Sequence, residues 1–520
     1  MDTDSGSLRH KAAAGTLWSG LSVAGRQLVS IVSTAILARM LPPSAYGVVG
    51  LAAVFTNFLM IFRDIGTGAA IIQRREISQE LISSLWWMNM LLGAMLAGVL
   101  GILAWPAAAF YREPQLVPVM LVLSVSFLIA SVSIIPSSLL SRRMDFRGIG
   151  AAELAAACVS LVVAVTVALK GGGVWSLVAG SLANAMVSTV LLWWFARWLP
   201  SFIFSWREVR SVMNYSLNLS GFSLINYLAR SADSMIVGKL GSVQLGYYQM
   251  AYNLMLFPLQ NVSQVVGRVL HPAFSAIQDD NQRFRSAYLR VTLIIASVSF
   301  PMMLGLMVVA EPFVRTVLGS RWLSVVPLLW ILCPVGLIQS IVTTVGQIYT
   351  AKGATGLMLL WGIGSTTIFV LSFLVGMLWG VQGVAIAYAI ANLLLLYPAL
   401  AIPFRLIGLR VRDLVWNLAP VLLITVLMVA ATSAWLAACS RFGIIFHPAV
   451  ALATSVAIGV LVYGTLVWVL LPDLLSEVAH SARATGAVRV ANLLDARRRG
   501  CVAGFWRSTP TGGKCAAGRR

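Results

Sequence analysis

Charge is scarce along this 520-residue chain: 10% of residues are Asp, Glu, Lys or Arg, while 59% are hydrophobic. Acids are rarer still, 17 against 37 Lys and Arg. No hydrophilic stretch between the apolar runs is long enough for a soluble domain, which excludes a catalytic domain hung on a membrane anchor. The five cysteines are scattered: Cys158 and Cys333 lie in apolar runs, Cys439 near the end of one, Cys501 and Cys515 in the tail. No spacing suggests a metal site or a disulfide framework, and the four histidines form no cluster. No cofactor or metal is expected.

What the chain does have is apolar runs of roughly 20 residues, about fourteen in all, each able to cross a bilayer core of ~30 Å as a helix. They begin with 13–38 and 45–62 and close with 415–437 and 448–470. The expected fold is an all-α polytopic membrane protein. Ala12–Ala38 is too long for the apolar region of a signal peptide and lacks a small-residue cleavage site. A protein so fully committed to the membrane is most often a transporter, with its function between its helices.

The placement of charge gives a topology. Alternating loops from an internal N-terminus put nineteen Lys and Arg on one side. The other side receives eight: Arg39, Arg112, Lys170, Arg230, Lys239, Arg315, Arg321 and Arg441. The bias predicts that both termini are cytoplasmic. In this setting a net charge of +20 reflects topology, and no nucleic-acid partner is expected.

Two halves look related. Arg39-Met40-Leu41, then Gly47, follows the first run; Lys239-Leu240, then Gly246, follows the seventh. Both read as a cation, then Leu-x5-Gly, then a new run. Gly173-Val174 with Ala179 opens the sixth run, and Gly383-Val384 with Ala389 opens the twelfth. The offsets of ~200 and ~210 residues favour two six-helix lobes, 1–200 and 201–410, related by a pseudo-two-fold along the membrane normal. Two additional helices (411–471) and a basic tail (472–520), low in aliphatic residues and expected to be disordered, complete the partition.

The stretch ILARMLPPSAYGVVGLAAVFTNFLMIFRDIGTGAAIIQ (36–73) resembles the N-terminal signature of bacterial polysaccharide flippases of the Wzx type. DSMIVGKLGSVQLGYYQMAYNL, followed by HPAFSAIQDDNQRFRSAYLR, resembles their second-half signature. With Gly173-Val174-Trp175, the similarity covers about residues 8–470 and looks closest to colanic acid exporter-like members. These belong to the multidrug/oligosaccharidyl-lipid/polysaccharide exporter superfamily. The resemblance implies twelve core helices in two lobes, two further helices, and translocation of undecaprenyl-diphosphate-linked sugar repeat units across the inner membrane. It also implies a polysaccharide polymerase and export machinery as downstream partners.

Such a cargo needs a wet, cationic cavity, because each sugar hydroxyl taken bare into alkane costs ~4–8 kcal/mol. Arg26, near the middle of the first run with Gln27, Ser22 and Ser30 beside it, is the leading candidate for gripping a diphosphate. The alternative is a structural ion pair with Glu153. Glu153, the only acid well inside an expected span, is a candidate coupling residue, a fixed partner for Arg26, or a hydrated interfacial group. Arg230 and Asp233 are spaced as an i,i+3 ion pair; otherwise Asp233 is a second coupling candidate, and Arg230 and Lys239 line the outer mouth. Arg63 and Arg268 are headgroup candidates at the cytoplasmic side, or ordinary topology signals.

The seventh and eighth runs are rich in amides. Asn218, Asn226, Gln249, Asn253 and Gln260 are candidates for contacting sugar hydroxyls, with interhelical bonding as the alternative. Pro258, Pro301 and Pro334 are possible hinges or packing kinks. The functional expectation is a flippase for lipid-linked exopolysaccharide or O-antigen units, working by alternating access and without covalent chemistry. Its rivals are a small-molecule exporter of the same superfamily, which would offer acidic cavity residues to cationic drugs, and a membrane polymerase, which would need a large outer loop with catalytic acids.

Overall fold

The structure is a computed structural model and describes residues 3–63, 67–74, 77–207, 209–210, 231–442 and 447–471. The tail beyond 471, with Asn218, Asn226 and Arg230, lies outside the described residues; Gln260 and Arg268 are described as helix backbone only. The elements are α1 (Thr3–Met40), α2 (Pro43–Met60), α3 (Thr67–Gln73), α4 (Gln79–Tyr111), α5 (Leu116–Arg142), α6 (Phe146–Leu169) and α7 (Val174–Ala196). Residues 231–238 are helical and are labelled α8. There follow α9 (Ser242–Ala276), α10 (Asn281–Val308), α11 (Ala310–Phe313), α12 (Val325–Val342), α13 (Gly346–Ala351), α14 (Thr355–Gly376), α15 (Gly380–Ile407), α16 (Val411–Arg441) and α17 (Pro448–Leu470). Helices 12 and 13 form one span, and the helices among the described residues stand in the order expected for fourteen. The short α3, packed on α5, was not foreseen.

Turn chemistry sets the boundaries. Pro42-Pro43 breaks the chain after α1 and opens α2. Ser78 caps α4 by accepting from Leu81 N, Asp145 caps α6 through Gly148 N, and Asp280 caps α10 through Gln282 N and Arg283 N. Connections this short force consecutive helices to run antiparallel. We call the end carrying the N-terminus of α1 the near end and the opposite one the far end.

The first six spanning helices pack as one lobe and the next six as another, with α16 laid against α10 and α17 against α16. One apolar cluster bridges the two lobes. It joins Leu37, Leu41, Val48 and Leu51 to Val237, Leu245, Tyr248 and Trp322. At the near end each lobe has its own cluster: Ile71, Leu81, Leu85 and Leu139 in the first, Phe274, Phe284, Tyr288 and Phe404 in the second. The lobes are therefore sealed together at the far end and separately packed at the near end.

The duplicated Leu-x5-Gly segments meet each other. A methyl group on Gly47 would overlap the Ser242 carbonyl, and one on Gly246 would overlap the Pro43 carbonyl. Glycine at both positions lets α2 and α9 cross backbone to backbone at the pseudo-two-fold. The second motif pair agrees in place but not in role. Gly173 is the N-cap of α7 at φ +53°, whereas Gly383 sits inside α15 against the Gly376 carbonyl. Pro301 and Pro334 lie within α10 and α12, which continue through them.

Candidate functional site

Arg26 and Glu153 are partners. Arg26 Nη1 donates to Glu153 Oε2 at 2.7 Å between α1 and α6, and the side chains are 43% and 38% exposed. Small residues set this register: Ser22 lies against Gly150, and Gly25 against Leu154. The headgroup candidate and the first coupling candidate thus form one ion pair. Glu153 occupies one of the five guanidinium N–H donors, so most of the fork is open to a ligand. A pair this exposed contributes little stability, ~0–1 kcal/mol when hydrated.

Among the described residues the deeply buried acid is Asp233, not Glu153. On α8, Asp233 is 5% exposed and accepts from Tyr248 Oη at 3.1 Å and Ser234 N at 2.6 Å. Tyr248 stacks on Tyr252 at 5.8 Å between centroids, and Tyr252 lies 6.4 Å from Tyr388 on α15. Gln339 of α12 donates to Tyr388 Oη, and Asn392 Nδ2 donates to the Tyr388 carbonyl at 2.8 Å. A polar network therefore ties four helices of the second lobe around a carboxylate. Sequence reading missed Gln339, Tyr388 and Asn392; the available signal was an amide within each of two largely apolar helices.

Lys239, exposed at the far end, contacts the other lobe. Its ammonium donates to the Phe110 carbonyl at 2.7 Å and lies over the Phe110 ring, 3.1 Å from the centroid. Arg39 makes the counterpart contact. Its Nε donates to the Val317 carbonyl at 3.1 Å, and Nη2 reaches the Thr316 carbonyl. Each lobe's first helix thus ends in a cation that caps carbonyls of the other lobe, Lys239 at the C-terminus of α4, where the helix dipole favours positive charge, and Arg39 in the helical turn Val314–Leu318 after α11. The exchange is reciprocal: Trp322 Nε1 donates to the Ala38 carbonyl at 2.7 Å, and Tyr111 Oη to the Met235 carbonyl at 3.4 Å. These cross-lobe bonds all lie at the far end, around the Gly47–Gly246 crossing.

The remaining candidates whose side chains are described do not converge on one spot. Gln249 is half-buried with its amide packed on Gly50 in the α2–α9 seam, so its surroundings are interhelical. Asn253, one turn on, is exposed. Arg63, at the near end of α2, places Nη1 3.4 Å from Met60 Sδ.

Known proteins resemble this chain in sequence and in fold. The chain is 28% identical over 392 residues to the lipopolysaccharide biosynthesis protein WzxC of Escherichia coli (strain K12), covering 75% of this chain and 80% of that one. It is 30% identical over 351 residues to the amylovoran biosynthesis protein AmsL of Erwinia amylovora, 65% of this chain and 89% of that one. Among solved structures, the lipid II flippase MurJ in an inward closed conformation has the same fold, with a TM-score of 0.67 at 15% identity over 88% of this chain and 99% of that one. An inward-facing multidrug resistance MATE family transporter of the MOP superfamily follows at 0.59 and 14% identity, covering 74% of this chain and 94% of that one. Residues 36–327 match the model of one family, described as polysaccharide biosynthesis protein. More than half of the chain is matched, and this multi-pass membrane protein belongs to the polysaccharide biosynthesis protein family.

Proposed function

We propose that this protein is a flippase that carries undecaprenyl-diphosphate-linked oligosaccharide repeat units across the bacterial inner membrane by alternating access. The observation that carries this reading is the half-exposed Arg26–Glu153 pair inside a two-lobed membrane body sealed at one end. A charge in mid-membrane that is not buried in protein must face water. A guanidinium with spare donors on such a wall suits a diphosphate. WzxC and AmsL are named for the synthesis of surface polysaccharides, the succinoglycan biosynthesis transport protein ExoT of Rhizobium meliloti (strain 1021) for transport in such a pathway, and MurJ for flipping lipid II. Flipping makes and breaks no covalent bond, so no catalytic residue is assigned.

In this reading the near end is cytoplasmic, with both chain termini, and the sealed far end is periplasmic. The two lobes, 1–200 and 201–410, rock about the α2–α9 crossing, and 411–471 serves as an accessory pair of helices. A polymerase and export machinery would take up the product. A reporter fused after Leu471 is expected to be active only if it is a cytoplasmic reporter. Alkaline phosphatase activity at that position would overturn the orientation. The function itself is tested by depleting the protein and locating lipid-linked oligosaccharide by leaflet. It should accumulate on the cytoplasmic side, and accumulation on the periplasmic side would point to a polymerase instead.

Asp233 is the better coupling candidate, because it is the buried carboxylate and its tyrosine network reaches four helices of the second lobe, so a change in its charge would be felt across that lobe. Asp233→Asn should retain the fold and lose the dependence of transport on an ion gradient. Tyr248→Phe, which removes only the hydroxyl, should weaken that dependence less. Gradient-dependent flipping at the wild-type rate by a stable Asp233→Asn protein would remove Asp233 from coupling. The small-molecule exporter is the second reading, favoured by this buried acid. Efflux of cationic dyes that is lost in Asp233→Asn, with polymer output untouched, would establish it.

A further inference from the structure

A cavity of about 450 Å³ opens at the far end, away from the Arg26–Glu153 pair. Arg39 from the end of α1, Arg315 and Arg321 from the segment after α11, and His447 at the start of α17 contribute to its wall. We propose that this cavity is a separate binding site for a diphosphate-type anion.

Four observations support it. The first is charge selection: the far-end side holds eight Lys and Arg against nineteen on the other, yet three of the eight gather here. Cations on that side run against the topology bias, so their convergence calls for a reason other than orientation. The second is availability. Arg315 is held by Glu311, Nη2 to Oε1 at 2.9 Å, and Arg39 by the carbonyls described above, while the Arg321 guanidinium has no partner among the described residues. One acid against three arginines leaves the wall net positive.

The third is an unmet polar group: Thr316 Oγ1, on a lining residue, is buried without a hydrogen-bond partner. Buried hydroxyls are normally satisfied, and this one, shielded in the cavity wall, would reach a bound oxygen once its rotamer turns. The fourth is the N-terminus of the 23-residue α17, whose dipole adds positive potential, with His447 Nδ1 accepting from Ala449 N. The volume falls within the ~300–1,000 Å³ range of small-ligand sites and exceeds what a single phosphate needs. An occupant would also compete with the Thr316 and Val317 carbonyls for Arg39, linking occupancy to the cross-lobe seal.

The probe is inorganic pyrophosphate, titrated calorimetrically into the full-length protein in phosphatidylcholine nanodiscs. An Arg26→Ala background removes the central cation, so failure of the flippase reading would not alter the result. Pyrophosphate is expected to bind with an affinity that falls as salt rises. Arg315→Gln with Arg321→Gln should weaken binding at least about tenfold, and Lys170→Gln, also at the far end, should not. Arg321→Gln alone breaks no described contact and should weaken binding even if the double variant misfolds. Absence of binding in the Arg26→Ala protein, or unchanged affinity in Arg321→Gln, would overturn the site. Adding phosphatidylglycerol separates the sources of the anion: competition assigns the site to bilayer headgroups, and no competition assigns it to the diphosphate of the cargo.

Discussion

Arg26→Ala is expected to abolish polymer export while the protein still inserts and folds. Each charge-assisted hydrogen bond to a diphosphate contributes about 1.5–3 kcal/mol, so losing the fork should cut headgroup affinity tenfold or more. Arg26→Lys should recover part of the activity, because it restores the charge without the bidentate geometry. Glu153→Gln keeps the shape of its side chain and removes the competing carboxylate. With the pair at 43% and 38% exposure, the stability cost should stay within about 1 kcal/mol. A dry pair would cost several kcal/mol when broken, and Arg26→Gln with Glu153→Gln would then restore stability without restoring export. Export and in vivo flipping assays on membrane-verified protein decide the matter. Normal polymer output from Arg26→Ala would end the headgroup role, and wild-type flipping by Glu153→Gln would leave Glu153 as a hydrated partner only.

Gly246→Val is expected to force the lobes apart at the far end. The new side chain would meet the Pro43 carbonyl, a backbone atom that cannot swing aside as a side chain can. Overpacking in a tight interface costs about 1–3 kcal/mol, comparable to the gap between two states of a transporter. The sealed state should lose population, and spin labels placed on the far ends of α4 and α8 should report a longer separation. Gly47→Val should act in the same way, because Gly47 faces the Ser242 carbonyl across the pseudo-two-fold. An unchanged label distance in a folded Gly246→Val protein would show that α2 and α9 do not close the seam. Loss of the cation clasps by Arg39→Gln with Lys239→Gln should move the equilibrium in the same direction by less, since hydrogen bonds at an exposed rim are partly replaced by water.

Much of the fold was legible because the bilayer enforces it. Backbone groups in lipid must bond within a helix, so an apolar run of about 20 residues admits one spanning structure. The order of helices, the two lobes and the extra pair at the C-terminus all followed from this rule and the repeat. The caps at Ser78, Asp145 and Asp280 were equally local. The short α3 was harder to see, since seven residues carry no bilayer-length signal.

The sequence by itself determined that the chain crosses the membrane many times, that its two halves are copies, and that Arg26 is a charge in an unfavourable place. It named Arg26 and Glu153 as possible partners but could not choose between pairing and separate roles. Tertiary structure decided that choice, because the distance between residues 26 and 153 depends on how α1 packs against α6 through Ser22, Gly25 and Gly150. It also moved the buried acid to Asp233, whose hydroxyl partner Tyr248 arrives from another helix and belongs to a network with Tyr388 and Gln339 from two more. Lys239, a headgroup candidate at the outer mouth in one dimension, and Arg39, an outer-side cation, became cross-lobe caps in three. The physical reason is common to all of these. Hydropathy and helix periodicity act within one segment, whereas the partner of a charge is chosen by helix packing, which the spacing of residues along the chain does not encode.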